Sequence, residues 1–216
     1  KGLRVAYTPN WGYALVDPEV REVAGKAARV FERDLGCIVE EANPGWEDPF
    51  GPFFTLVLLE TDLKGMRRLI QQYGSQMMPH LVEALTGPIP DEAFTDAIMV
   101  RKAVTNKSWR FFRKYDLLLT PTTAVAAFPL GIQGPETIDG KKAGPFQWLP
   151  FTFPFNMTGQ PAATVPAGFT SDGLPVGLQI VGRHLDDPTV LRASAAYEVA
   201  APWKDRWPPL LAKMGL

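Results

Sequence analysis

Two spacings of apolar residues alternate along the chain. Leu3 to Pro9 is a short apolar run stopped by proline and reads as a strand. Val20, Val23, Ala24, Ala27, Val30, Phe31 and Leu35 then fall at helical spacing. Asp17 is placed to cap that helix and Pro18 to open it. Glu19 and Glu22 sit near the positive end of its dipole, and Gly36 stops it. The CIVEE run from Cys37 to Glu41 follows as a second strand. Strand, helix, strand over residues 1–45 is a βαβ-like unit, which predicts an α/β fold with a largely buried sheet.

Residues 50–115 read as a helical section. A first helix is apolar from Phe53 to Leu63 and ends near Gly74. A second runs from about Gln76 to Leu85 and is closed by Thr86-Gly87-Pro88. A third starts near Asp91, with Phe94, Ala97, Ile98, Val104 and Phe111 roughly on one face. Its basic end (Lys107, Arg110, Arg113, Lys114) matches the helix dipole and reads as a solvated terminus. Residues 116–216 bring strands, a long loop and a last helix. Tyr115 to Thr122 is an apolar strand ended by Pro121. Residues 124–150 are rich in Gly and Pro and have no period, yet Phe128, Phe146 and Trp148 argue against a solvated tail. A segment of that length without regular structure is usually functional or disordered. PFNMTGQPAATVP, from Pro154 to Pro166, is too broken by proline to read as a helix and too apolar for a solvated loop. AATVPAGF and PVGLQIVG read as two strands joined across Ser171-Asp172-Gly173. Pro188 opens a last helix after Asp186-Asp187, with Val190, Leu191, Ser194 and Tyr197 facing inward, and APWKDRWPPLL closes the chain as an irregular aromatic tail.

Composition narrows the classes. The chain has 216 residues, 46% hydrophobic and 21% charged, enough for a packed core and against global disorder. A net charge of -1 gives no general field to draw nucleic acid. No apolar run approaches the ~20 residues that span a bilayer, so no membrane partner is expected. Cys37 is the only cysteine, which fits a reducing, cytoplasmic setting. The chain opens at Lys1, within a strand pattern, either after processing or as a piece cut from something longer.

The chemistry in these residues is sparse. The four serines are Ser75, Ser108, Ser171 and Ser194, and none lies in a Gly-x-Ser-x-Gly elbow. Helix packing, a cap or a turn explains each. Cys37 opens what reads as a buried strand and fits a small hydrophobe better than a thiolate. His184 with Asp186 and Asp187 permits a His/Asp pair on paper, but loop and cap roles explain those residues equally. His80 has no partner in the sequence, Glu40-Glu41 reads as the surface end of a strand, and no metal-ligand spacing, phosphate loop or dinucleotide fingerprint occurs. No cofactor and no metal are expected.

FTFPFNMTGQPAATVPAGFTSDGLPVGLQIVG resembles the C-terminal part of amidase signature enzymes. The resemblance rests on Asn156, Thr158-Gly159-Gln160-Pro161-Ala162, Val165-Pro166, Leu174 to Gln179 and Val181-Gly182. YDLLLTPT, the AYE of the last helix and VDPEV at the first helix add to it, so it covers nearly the whole chain.

That resemblance implies an α/β fold with a mixed sheet flanked by helices, of which residues 1–216 are an incomplete C-terminal portion of one amidase domain. It implies hydrolysis of a carboxylic amide, releasing ammonia or an amine, through a Ser–Ser–Lys triad. In that chemistry one serine attacks, a second relays the proton to a neutral lysine, and backbone N–H groups hold the oxyanion. The Gly/Ser-rich segment and the lysine of that pattern have no match in these residues; Lys141-Lys142 reads as solvated. No catalytic residue is therefore assigned, and the chain alone is expected to be inactive. By resemblance, Phe151, Thr152, Pro154, Phe155 and Asn156 lie near the substrate, and Phe128 with the loop to Trp148 forms another wall. Core packing explains the aromatics equally, and backbone hydrogen bonding explains Asn156. The expected partners are a small-molecule amide and the missing N-terminal half. An apolar docking face would promote homodimers or aggregates. The alternatives are a non-catalytic ligand-binding or interaction module, or part of the glutaminase subunit of a tRNA-dependent amidotransferase. An independent site at Cys37 or His184 is a third idea, which Cys37→Ala and His184→Ala would test.

Overall fold

The computed structural model describes residues 1–204; of the expected aromatic tail, residues 205–216 lie outside them. The strands of the main sheet are β1 (Arg4–Tyr7), β2 (Ile38–Glu41), β3 (Leu117–Pro121), β6 (Ala162–Phe169) and β7 (Pro175–Gly182). Their order is β2-β1-β3-β7-β6. β1 runs parallel to β2 and β3, while β7 is antiparallel to both β3 and β6, so the sheet is mixed.

Helix α1 (Pro18–Arg33) forms where the sequence places it. Asp17 accepts hydrogen bonds from the Glu19 and Val20 N–H groups, and Pro18 occupies the first turn, where its missing donor costs nothing. Val20, Ala24, Ala27, Val30 and Phe31 are buried. Helix α7 (Asp187–Ala200), capped by Asp186, packs beside α1 on the same face, and Phe31 stacks on Tyr197 at 5.7 Å. Between them and the sheet lie Val5, Leu117, Leu119, Leu178 and Ile180. Leu118 and Val181 point the other way, into a second core with Trp11, Trp46, Phe112, Phe151 and Phe155.

Several expected elements take a different form. The apolar stretch expected as one helix from Phe53 to near Gly74 is two, α2 (Phe50–Glu60) and α3 (Leu63–Tyr73). Thr61 is extended, and the Asp62 carboxylate accepts the Gly65 N–H and so starts a new helix. A 3₁₀ turn (Gly74–Gln76) precedes α4 (Pro79–Thr86), which begins three residues later than expected. In α5 (Ala93–Phe111) the buried residues are Ala97, Val104 and Ser108, while Phe94 is exposed. Leu191 also faces solvent, and Ala193 takes its expected place in the core. Cys37 is buried, but β2 after it is an edge strand with Ile38 half exposed.

The stretch judged too broken for a helix contains one, α6 (Phe153–Thr158). Pro154 sits in its first turn, so no helical hydrogen bond is lost. Gly159, with φ 73°, closes it in the left-handed conformation, and Arg101 Nε donates to the Met157 carbonyl at 3.1 Å. The long loop is also more ordered than its composition suggests. It carries a ribbon of β4 (Thr137–Ile138) and β5 (Lys141–Lys142) and is closed by Trp148, whose indole N–H donates to Gln133 and Pro145 carbonyls at 2.7 and 3.1 Å.

The LPVGLQIVG run is a set of close approaches. A Cβ on Gly177 would lie 2.6 Å from Thr122 Oγ1 and 2.8 Å from Thr164 Oγ1, two hydroxyls that bond each other across it at 2.6 Å. A Cβ on Gly182 would meet Val190 of α7 at 2.6 Å. Between them the Gln179 amide donates to Thr120 Oγ1 at 3.0 Å and to the Phe151 carbonyl at 2.8 Å.

Candidate functional site

In an open sheet with parallel strands, ligands bind outside the strands' carboxyl ends, where the outgoing loops converge. Here those loops follow β1, β2 and β3. They enclose a cavity of about 300 Å³ whose lining includes Tyr13, Asp48, Phe50, Phe146, Pro150 and Phe153. Tyr13 comes from the loop after β1, Asp48 from the loop after β2, Phe50 from the start of α2 and Phe146 from the long loop. Phe50 stacks on Phe146 at 5.9 Å and meets Phe153 edge-on at 5.5 Å.

The wall is tied down from behind. Trp11 Nε1 donates to the Pro150 carbonyl at 2.9 Å, and Gln179 holds the next carbonyl, that of Phe151. A second layer of rings backs the first, with Phe53 on Phe153 at 5.4 Å and Phe54 on Phe146 at 6.5 Å. Tyr13 Oη and Trp46 Nε1 are buried, and neither makes a hydrogen bond of good geometry among the described residues, although the Trp46 N–H lies close enough to the Tyr13 oxygen to act on it. Burial, with the Asp48 carboxylate as the lesser cause, pushes the Tyr13 hydroxyl well above its ordinary value, and the Trp46 N–H partly opposes this. Tyr13 is therefore a neutral phenol throughout the physiological range.

The residues expected near a substrate divide into three groups. Phe151 and Phe155 are fully packed: Trp11 lies 5.7 Å from Phe151 and 6.0 Å from Phe155. Pro154 is buried beside them, while Thr152 is half-buried and donates to the Leu149 carbonyl at 3.4 Å. Asn156 is exposed, and its side chain bonds to none of the described residues. Phe128 stands apart, edge-on to Trp148 at 5.4 Å. The residues that open onto the cavity, Pro150 and Phe153, interleave with the expected ones. Of the others, Phe146 had a sequence signal, as an aromatic in a Gly/Pro-rich loop, while Tyr13, Asp48 and Phe50 had none.

No nucleophile with a base in reach occurs among the described residues. Ser108 is buried in α5 without a partner, Ser194 Oγ donates to the Val190 carbonyl, and Ser75 and Ser171 lie on the surface. Burial raises the Cys37 thiol above its ordinary value, which favours the unreactive form. His184 Nδ1 lies 3.0 Å from the Gly159 carbonyl, and Asp186 caps α7, so the paper His/Asp pair is already committed elsewhere. His80 pairs with Gln133, and Lys141 and Lys142 are exposed. No group of three or more His, Cys, Asp or Glu that could hold a metal ion occurs among the described residues. No helix among them is long and apolar enough to cross a membrane.

A larger cavity of about 570 Å³ lies between Trp109, Phe112, Arg113, Gln160, Arg183, His184 and Leu185. It sits at the opposite end of the sheet, because Gly182 pairs with Leu117 at the start of β3. Its Arg183 is already held by the Phe112 carbonyl and by Asp116, and its His184 lies against the Gly159 carbonyl.

The family model described as Amidase matches residues 1–191. An acylamidase of Rhodococcus erythropolis is 41% identical over 96% of this chain and 44% of its own length. A glutamyl-tRNA(Gln) amidotransferase subunit of Lactococcus lactis subsp. cremoris (strain SK11) is 28% identical over 99% of this chain and 48% of its own. The crystal structure of a bacterial aryl acylamidase of the amidase signature family superposes with a TM-score of 0.83 at 30% identity, over 94% of this chain and 44% of that one. The chain thus spans about half the length of the curated relatives it matches.

Proposed function

The chain belongs to the amidase signature family, and on that premise we propose that it is the C-terminal half of an amide hydrolase. The whole protein releases ammonia or an amine from a carboxylic amide by Ser–Ser–Lys acyl-enzyme chemistry. Both serines and the lysine lie in the N-terminal half. This chain supplies the substrate wall: the Phe151–Asn156 segment, with Phe128 and the loop to Trp148 as a second side. The partners of residues 1–216 are the small amide, the N-terminal half and, through the same exposed surface, a second copy. The setting is cytoplasmic.

One observation carries this reading. Nearly all of the chain matches less than half of each relative, and no nucleophile among the described residues has a base beside it. The wall residues fit a supporting role. Gln179 and Trp11 fix the backbone at Phe151 and Pro150, which is how a binding surface is held to the tolerance that catalysis needs. The higher identity to the acylamidase, 41% against 28%, supports an acylamide hydrolase over a glutaminase subunit.

The test is to produce residues 1–216 alone beside the product of the whole reading frame that contains them, and to measure amine release from small amides. Turnover by the longer protein only is expected. Saturable amide binding with no turnover by either would replace this reading with a binding module.

A further inference from the structure

We propose that the cavity bounded by Tyr13, Asp48, Phe50, Phe146, Pro150 and Phe153 holds a flat, uncharged aromatic ring of the substrate, which makes the protein selective for aryl amides. This inference rests on the hydrolase reading above and names the substrate class of its site.

Shape comes first. Four of the bounding side chains are aromatic, and Pro150 adds a fifth rigid apolar wall. The Phe50 and Phe146 planes differ by 30°, while Phe153 stands at 66° to Phe50. Phe50 already touches both of the other rings, so a ligand ring lies against their shared face rather than between them, where it can stack on one and meet another edge-on, the two arrangements that aromatic pairs prefer. An aliphatic group of equal size gains the burial but not these contacts.

Size agrees. A dry cavity of about 150 Å³ already accepts benzene. The cavity here, about 300 Å³, has room for one ring and the amide attached to it. It lies at the lower limit of small-molecule sites, which suits a small amide.

Rigidity and charge complete the argument. Phe53, Phe54 and His80 back the front rings at 5.4 to 6.5 Å, and Trp148 closes the loop that carries Phe146. Walls that do not collapse keep a slot open for a rigid ligand. Of the three polar side chains on the lining, two are engaged in holding it: Asp48 Oδ1 accepts the Phe50 N–H at 3.0 Å, and Gln147 Oε1 accepts the Gly144 N–H at 3.0 Å, while Tyr13 is an uncharged phenol. No cationic side chain lines the cavity, and Asp48 repels an anionic ring substituent.

The ring can come from the acyl side or from the amine side, and the experiment separates them. The whole-frame protein is assayed with acetanilide, with benzamide and with their cyclohexyl counterparts, and acetanilide binding is measured by calorimetry. Each favourable ring contact is worth a factor of roughly 2 to 10, so kcat/KM for at least one aryl amide should exceed its cyclohexyl counterpart by about tenfold or more. Because anilides expel their amine more readily than cyclohexyl amides do, the readout is the change in that ratio: Phe146→Ala should lower it several-fold, and Phe50→Leu should lower it if Phe146→Ala does not fold. Trp109→Ala, at the far end of the sheet, should leave it unchanged. Turnover with an aryl-to-cyclohexyl ratio unaltered in both Phe146→Ala and Phe50→Leu overturns the inference and leaves the hydrolase reading standing. Acetanilide binding that is lost in Phe146→Ala, with no turnover of any amide, supports the inference and removes the hydrolase reading. Neither binding nor turnover of the aryl amides overturns both.

Discussion

Gly177 has no room for one more carbon. A Cβ there would sit 2.6 Å from Thr122 Oγ1 and 2.8 Å from Thr164 Oγ1, inside the hydroxyl bond that ties β3 to β6 over the strand between them. Gly177→Ala should therefore lower stability by about 1–3 kcal/mol, as overpacking does, read as a shift in denaturant midpoint at constant slope. Gln179, two residues on, acts on the site rather than the sheet. Gln179→Leu strands the buried Phe151 carbonyl and should cost about 1–3 kcal/mol, while Gln179→Glu, whose carboxylate has no N–H to donate, should not rescue it. These residues were legible in the sequence as a motif, but their reasons were not. Nothing in LPVGLQIVG says that its first glycine clears a path for two threonines from other strands. The six expected wall residues show the same limit. Phe151 and Phe155 read equally as wall and as core, because which way a ring points depends on Trp11, 140 or more residues earlier in the chain.

Among the elements, local signals read well where the cap and the period agree. Asp17, Pro18 and the stripe behind them specified α1, and Asp17→Ala should cost about 1 kcal/mol in the same unfolding assay. They read poorly where one signal hid another. The apolar run from Phe53 masked the Asp62 cap that divides it, and Pro154 looked like a breaker of α6 although it lies in the first turn, where proline is tolerated. Long-range pairing was not legible at all, and β2 shows its consequence. Glu40 accepts hydrogen bonds from the Tyr115 hydroxyl, Lys114 and Arg4, which together hold its carboxyl down to about 2. A depressed carboxylate stabilises the fold fully above its unfolded value near 4.5, and that contribution drains away as pH falls toward about 2. Stability measured across that window should fall more steeply for the wild type than for Glu40→Gln, and the two curves should run parallel above it.

At the scale of the molecule, the mixed sheet flanked by helices was foreseeable from the alternation of strand and helix patterns and from the resemblance. The cavity was not, since its walls come from three loops that meet only because β1, β2 and β3 run parallel and end together. The outer edges of β2 and β6 have no partner strand among the described residues. An open edge is a template for association, so residues 1–216 on their own should self-associate. Sedimentation velocity at rising concentration checks this, and a concentration-independent monomer would argue that the half is complete as it stands. If this half shapes the site while the other half attacks the amide, a fluorophosphonate added to the whole-frame protein, with the adduct mapped by mass spectrometry, should modify one serine outside these 216 residues. An adduct on Ser75, Ser108, Ser171 or Ser194 that abolishes activity would contradict it.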